Sequence, residues 1–280
     1  MTIAGRMIVD AQAHLWKAET PDWKWVPGRK PQLPEPFTIE KLVALMDEAG
    51  IDRTVIVPPS WPGDRNDYGL EAAQRYPKRF AVMGRIPMNP ESAKLLPKWL
   101  EQPGMVGIRL TFMREQAALL TSGATDWFWP AAEKERIPVM FFAPDNIPKI
   151  APIAERHPGL PMIVDHMSLM LETAKERRIG PAIDEVVKLA KYPNVSVKLS
   201  SAPNFSLEDY PFRDMIEPLK RCFDAYGPRR CYWGTDLTNS MAKATYRERA
   251  EHFTKELSFL SEDDKDWVMG KAILARLNWA

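Results

Sequence analysis

Short runs of β-branched and other apolar residues recur along the chain. Each is followed by a stretch in which apolar residues return every three or four positions. The short runs, residues 7–11, 53–57, 80–86, 106–110, 138–142, 162–165, 195–199 and 231–234, read as strands. Helical spacing follows in 38–49, 67–75, 127–135, 147–156, 173–191 and 211–225, and two further helices, 246–257 and 263–276, close the chain. Thr38 starts the first helix, and Ser261-Glu262-Asp263-Asp264 is a strong start for the last. Eight strands alternating with helices predict a parallel sheet covered by helices, and eight is the number that closes a barrel. An open doubly wound sheet would carry a glycine-rich turn after its first strand. Here Asp10-Ala11-Gln12-Ala13-His14 follows, without a glycine. The expectation is an α/β chain whose residues 1–280 form a single (β/α)8 barrel.

Residues 17–36, with Trp23, Trp25 and five prolines, are the one long insertion. They follow the first strand, on the mouth side of a barrel, where they form either a lid or pocket wall or a packed surface loop with buried tryptophans. Pro138, Pro161 and Pro193 stand at or just before strands, where a missing N–H is tolerated.

Composition narrows the class. With 45% hydrophobic and 27% charged residues, the chain is too apolar for disorder and too charged for a membrane protein. A net charge of +1 and the lack of a basic stripe exclude a nucleic-acid footprint. Two cysteines, Cys222 and Cys231, make neither a disulfide scaffold nor a CxxC metal site. With no signal-peptide pattern and no run of about 20 apolar residues, the expected setting is cytoplasmic and free of membrane.

In a barrel, polar residues at the C-terminal ends of strands read as catalytic, because the interior below is filled with aliphatics. Three strand ends qualify: Asp10-Ala11-Gln12-Ala13-His14, Val164-Asp165-His166 and Trp233-Gly234-Thr235-Asp236. His14, His166 and Asp236 can converge above the barrel, as a metal site or as an acid/base cluster. His157 and His252 lie in helical segments and are expected at the surface.

The chain resembles the amidohydrolase-related family of the amidohydrolase superfamily, which includes ring-opening lactonases and decarboxylases. The resemblance rests on Val9-Asp10-x-Gln12-x-His14, Gly107-Ile108-Arg109-Leu110, Val164-Asp165-His166, Asn194-Val195-Ser196-Val197-Lys198-Leu199-Ser200 and Trp233-Gly234-Thr235-Asp236. It implies that the family's first-strand His-x-His pair falls on Gln12 and His14. A later-strand histidine falls on His166, and the eighth-strand aspartate, a metal ligand and proton shuttle, on Asp236. Any metal would be one divalent ion, zinc or manganese, held by His14, Gln12, His166 and Asp236. Gln12 in place of histidine weakens a zinc site, since an amide oxygen suits harder cations. The fifth strand also lacks a histidine that many metal-dependent relatives carry. The resemblance includes lactonases that work without a metal, so both states stay open.

Without a metal, the expected reaction is hydrolysis of a lactone or related C–O or C–N bond. Asp236 is the general base, provided burial holds its pKa moderately high, and His14 or His166 holds the water or the oxyanion. The alternatives are a metal-dependent non-oxidative decarboxylase on the same scaffold and a non-catalytic partner subunit. Arg109, Lys198 and Arg85 are candidate clamps for a small, carboxylate-bearing substrate, or else members of buried ion pairs with Asp10 or Asp165. Trp61 and Trp16 are candidate pocket walls, and Phe141 and Phe142 serve either the wall or the core. Barrels of this kind often pair, so a homo-oligomer is expected, though no interface can be read from the residues.

Overall fold

The computed structural model describes residues 3–280. Eight strands form one sheet in chain order: β1 Val9–Ala13, β2 Arg53–Ile56, β3 Phe80–Gly84, β4 Met105–Thr111, β5 Val139–Phe142, β6 Met162–Val164, β7 Val195–Lys198 and β8 Cys231–Tyr232. Every ladder from β1–β2 to β7–β8 is parallel, as short connections through helices require. The expected (β/α)8 barrel is the observed one.

The seam between the last and first strands is built differently. β8 has only two residues, both paired with β7, and among the described residues no ladder joins it to β1. Instead the Ala11 N–H donates to Trp233 O at 3.1 Å, and the Asp236 N–H to Gln12 O at 3.0 Å. The Asp10 carboxylate completes the seam by accepting from the Thr235 N–H at 2.8 Å and from the Thr235 hydroxyl.

Register sorts the strand residues into layers. Arg109, Met140, Ile163 and Ser196 stand side by side across β4 to β7. A period of two then puts Lys198 and Phe142 on this same inward face. The alternate residues Phe141, Val164 and Val197 are fully buried in the layer between strands and helices. Gly107 makes the packing of β4 possible, since a Cβ there would lie 2.4 Å from Pro138 O. That close approach seats Arg109 two residues on.

Helices α1 Ile39–Ala49, α2 Asp67–Arg75, α3 Phe128–Lys134 and α4 Ile147–Arg156 follow the sequence pattern, with Thr38 capping α1 through the Lys41 N–H. Elsewhere the pattern was too smooth. Residues 173–191 form two α-helices, α5 Leu171–Lys175 and α6 Ile179–Lys188, parted by Arg177 at φ 55°. Pro181 explains the break, because proline is tolerated in the first turn of a helix but not in its interior. The helix expected over 211–225 starts late, at Ile216, after Phe212 turns through φ 56°. Both C-terminal helices contain a π-helical turn, at His252–Glu256 and Trp267–Lys271. A 3-10 helix, Pro90–Glu101, lies between β3 and β4, where no helix was expected.

The insertion after β1 is pinched at its base by an antiparallel bridge between Trp16 and Phe37. Trp23 is buried beneath it, while Arg29, Lys30 and Gln32 reach the wall of the central cavity. Among the described residues, no helix is long and apolar enough to cross a membrane.

Candidate active site

Above the barrel lies a cavity of about 730 Å³, and Gln12, His14, His166 and Asp236 form part of its lining. Strands β6, β7 and β8 each end in a left-handed turn: His166 has φ 51°, Ser201 64° and Asp236 49°. Non-glycine residues held there cost about 1–3 kcal/mol each, and such strain persists where surrounding contacts enforce it. The contacts here are polar and buried.

His14 Nδ1 lies 2.6 Å from Val57 O and so donates its N–H to that carbonyl. His14 Nε2 stands 3.0 Å from Asp236 Oδ1. The contact is not aligned as a hydrogen bond, which leaves Oδ1 a buried acceptor without a hydrogen-bond partner. Asp236 Oδ2 accepts from Asn239 Nδ2 at 2.5 Å and from Ser201 Oγ at 3.4 Å. Burial pushes this carboxyl up, but His166, His14 and Asn239 pull it well below the usual carboxylate range. Asp236 is therefore ionised at neutral pH, and the moderately high pKa that the general-base reading requires is not met while His14, His166 and Asn239 surround it.

His166 is oriented from both sides. Lys198 Nζ donates to Gln12 Oε1, which turns the Gln12 amide so that Nε2 faces His166 Nε2 at 2.9 Å. An amide nitrogen only donates, so His166 Nε2 accepts and the ring proton sits on Nδ1. That Nδ1 lies 2.8 Å from Ser200 Oγ and 3.2 Å from Ser201 Oγ. Burial lowers His166 to about 4 against the pull of Asp236, so the ring is neutral at pH 7.

Beneath this layer Asp165, fully buried, joins two cations. Its Oδ1 is 2.8 Å from Lys198 Nζ and its Oδ2 is 3.1 Å from Arg109 Nε. Burial raises the Asp165 carboxyl, but Lys198 and then Arg109 bring it below its ordinary value.

The expected site residues are brought together unequally. His14, His166, Asp236, Arg85, Arg109 and Trp61 all line the cavity. Lys198 does not: it is fully buried and belongs to the ion pair with Asp165, where it cannot clamp a substrate. Trp16 is also fully buried, packed edge-on to Trp61 at 5.1 Å and stacked on Phe37 at 5.7 Å, so it backs the wall without forming it. Phe142 reaches the cavity, whereas Phe141 is core. His157 is half-buried and donates to Glu133 at 2.8 Å. His252, expected at the surface, is buried with neither ring nitrogen hydrogen-bonded. The π-helical turn that begins at His252 directs it inward, against Phe212. Ser200, Ser201 and Asn239 were missed. The strand-end rule that found His166 applies equally to the two serines after β7, and Asn239 lies one turn beyond Asp236.

A family model described as amidohydrolase matches residues 9–275. A 4-sulfomuconolactone hydrolase from Hydrogenophaga intermedia is 28% identical over 214 residues, 74% of this chain and 67% of that protein. An L-fucono-1,5-lactonase from Burkholderia ambifaria is 26% identical over 242 residues, 81% of this chain and 79% of that one. Among solved structures, an amidohydrolase from Burkholderia multivorans with bound zinc shares the fold, with a TM-score of 0.80 at 18% identity over 97% of this chain and 99% of its own.

The zinc in that relative invites a test of the donors here. Gln12 Oε1 is taken by the Lys198 ammonium, and the His166 Nε2 lone pair by the Gln12 amide. His14 Nε2 and Asp236 Oδ1 remain, two donors where a catalytic zinc takes three from the protein. Among the described residues, no three His, Cys, Asp or Glu side chains are grouped to hold a metal. The donor set does not fit a tightly held divalent ion, and Gln12 is not placed to act as a ligand.

Proposed function

The chain belongs to the amidohydrolase family, and we propose that it hydrolyses lactones with Asp236 as general base and His14 as proton donor. The observation that carries this reading is Asp236 Oδ1, an ionised, buried acceptor without a hydrogen-bond partner, 3.0 Å from a histidine nitrogen at the barrel mouth. The lactone-opening activities named for the two relatives support it.

In this mechanism a water molecule donates to Asp236 Oδ1 as its oxygen attacks the lactone carbonyl. The water proton passes to the carboxylate, which becomes a stronger base as His14 gives up its proton, and the ring C–O bond breaks. The departing oxygen takes a proton from His14 Nε2, and the product is a hydroxy acid. Asp236 and His14 exchange the surplus proton across their 3.0 Å contact, which resets the pair. His166 takes no part in proton transfer, since its Nε2 already accepts the Gln12 N–H. It fixes the position of Asp236, 3.7 Å away, while Lys198 and Gln12 fix His166 in turn. Arg85 and Arg109 seat an anionic group of the substrate, and Trp61 covers the ring.

The test is a panel of γ- and δ-lactones assayed by acid release, in buffer with chelator, for the wild type and Asp236→Asn. We expect opening of at least one lactone in chelator and a loss of about a thousandfold or more in the folded variant. An Asp236→Asn protein with native circular dichroism and undiminished turnover would overturn the assignment.

A further inference from the structure

The wall of the cavity is divided by charge, and the division follows the strand order. From the catalytic seam in one direction, the ends of β1 to β4 and their loops bring Arg29, Lys30, Arg85, Arg109 and Arg114 to the cavity. In the other direction, the end of β5 and the loops after β6 and β7 bring Phe142, Leu169, Met170, Leu171 and Phe205. His14 and Asp236 stand where the two halves meet.

The cationic half is short of counter-charge. Arg109 shares Asp165 with Lys198. Arg85, buried, meets only Asp64 at 3.3 Å, and burial together with the facing Arg109 lowers it to about 10. Arg29 spends one N–H on Ser60 O at 2.7 Å. Among the described residues, no carboxylate lies in ion-pair range of Arg29, Lys30 or Arg114, and the acid on this wall, Glu115, is exposed. Arg85 is buried and Arg109 partly so, while Arg29, Lys30 and Arg114 are exposed. The two inner guanidiniums, short of counter-charge, are stabilised when an anion enters. The opposite half buries Leu169 and Phe205, half-buries Phe142 and Met170, and exposes Leu171, with Glu172 the one acid on that wall, also exposed. Apolar surface held wet at a mouth gains when a ligand covers it. The volume also falls in the range of about 300–1,000 Å³ that encloses drug-sized ligands.

We propose that the substrate is an amphiphilic lactone with an anionic group, carboxylate or sulfonate, on one side of the ring and an apolar alkyl or aryl substituent on the other. This rests on the lactone-hydrolysis reading above. The anion lies between Arg85 and Arg109, with Arg29 of the insertion above it. The apolar arm lies along Leu169–Leu171 and Phe205, and the carbonyl is left at the seam beside Asp236.

Four matched lactones test this: the bare ring, the ring with a carboxylate, the ring with a phenyl group, and the ring with both on opposite sides. The doubly substituted lactone is expected to exceed each singly substituted one in kcat/KM by at least about tenfold. Arg85→Gln is expected to erase most of the preference for carboxylate, and Leu171→Ser to narrow the preference for phenyl. Equal kcat/KM for all four, or preferences untouched by both variants, would overturn the proposal while leaving lactone hydrolysis in place. If none of the four is opened, calorimetry with the corresponding ring-opened hydroxy acids decides. Tightest binding of the doubly substituted acid, weakened by Arg85→Gln, supports the divided cavity, and equal affinities reject it.

Discussion

Asp10 and Asp165 each follow an Ile-Val pair, Asp10 as the second residue of β1 and Asp165 just past the end of β6, and both are fully buried. Their environments differ in kind. Asp165 faces Lys198 and Arg109, which bring its carboxyl below the ordinary value. Asp10, among the described residues, has no cation in ion-pair range. It accepts from the Thr235 hydroxyl and N–H, the Gln12 N–H and the Tyr246 hydroxyl, and burial outweighs these so that its pKa is raised. One aspartate balances charge under the site; the other ties the first strand to the last. Burial alone does not decide the state of a carboxylate, because the type of donor opposite it does.

The largest expected effect comes from breaking the charged member. Asp165→Asn strands the buried Lys198 and the partly buried Arg109 and should cost about 3–5 kcal/mol in urea unfolding. Adding Lys198→Met should return part of that loss, since an apolar side chain tolerates the site better than an unpaired ammonium. If the double variant is no more stable than Asp165→Asn alone, Lys198 is not the partner that matters.

The same contrast recurs in two histidines, His166 with every nitrogen partnered and His252 with none, and burial lowers both to about 4. In the unfolded chain each titrates near 6.5, so between that value and 4 the unfolded state binds more protons. Stability is therefore complete above about pH 6.5 and falls as the pH drops, by up to about 2 kcal/mol per histidine between pH 7 and 5. His252→Leu should flatten that slope by about half, as measured by unfolding at several pH values, and an unchanged slope would mean that His252 is not the group being charged.

Asp10→Asn should cost less, about 1–2 kcal/mol, because an amide keeps one acceptor for the Thr235 N–H. A loss as large as that of Asp165→Asn would erase the distinction. The smallest effect is kinetic. With Asp236 held well below the usual carboxylate range, kcat/KM should not fall by more than about twofold from pH 7.5 to 5.5 in protein that stays folded. An acid limb with a midpoint near 6 would assign the base to a different group.

The barrel could be read from the sequence because its strands are short apolar runs, most of them set apart by amphipathic segments. All eight runs contain strands, although no helical spacing announced the 3-10 helix between the third and fourth. The break in 173–191 is signalled by Pro181, which the helical spacing masked. The late start of the helix over 211–225 is not signalled, because nothing in the Phe212 side chain announces a left-handed residue. At the site, His14, His166 and Asp236 were legible from their places at strand ends. Lys198 was misread for a physical reason. Its inward position was right, but whether an inward lysine reaches the cavity or a carboxylate beneath it depends on depth, which periodicity does not encode. Trp16 failed in the same way, one layer behind Trp61.

The seam carries a consequence for how the molecule assembles. The bond from Thr235 to Asp10 spans 225 positions in the chain, and the contact of His14 with Asp236, proposed to act in catalysis, crosses the same seam. Contacts of such separation form late, because closing so long a loop is entropically costly until the intervening structure is in place. On a ribosome, the first strand waits with its polar edge unpaired until nearly the whole chain has emerged. Catalysis, once it appears in a refolding reaction, therefore reports the last step of closure and not the earlier collapse of the strands and helices between.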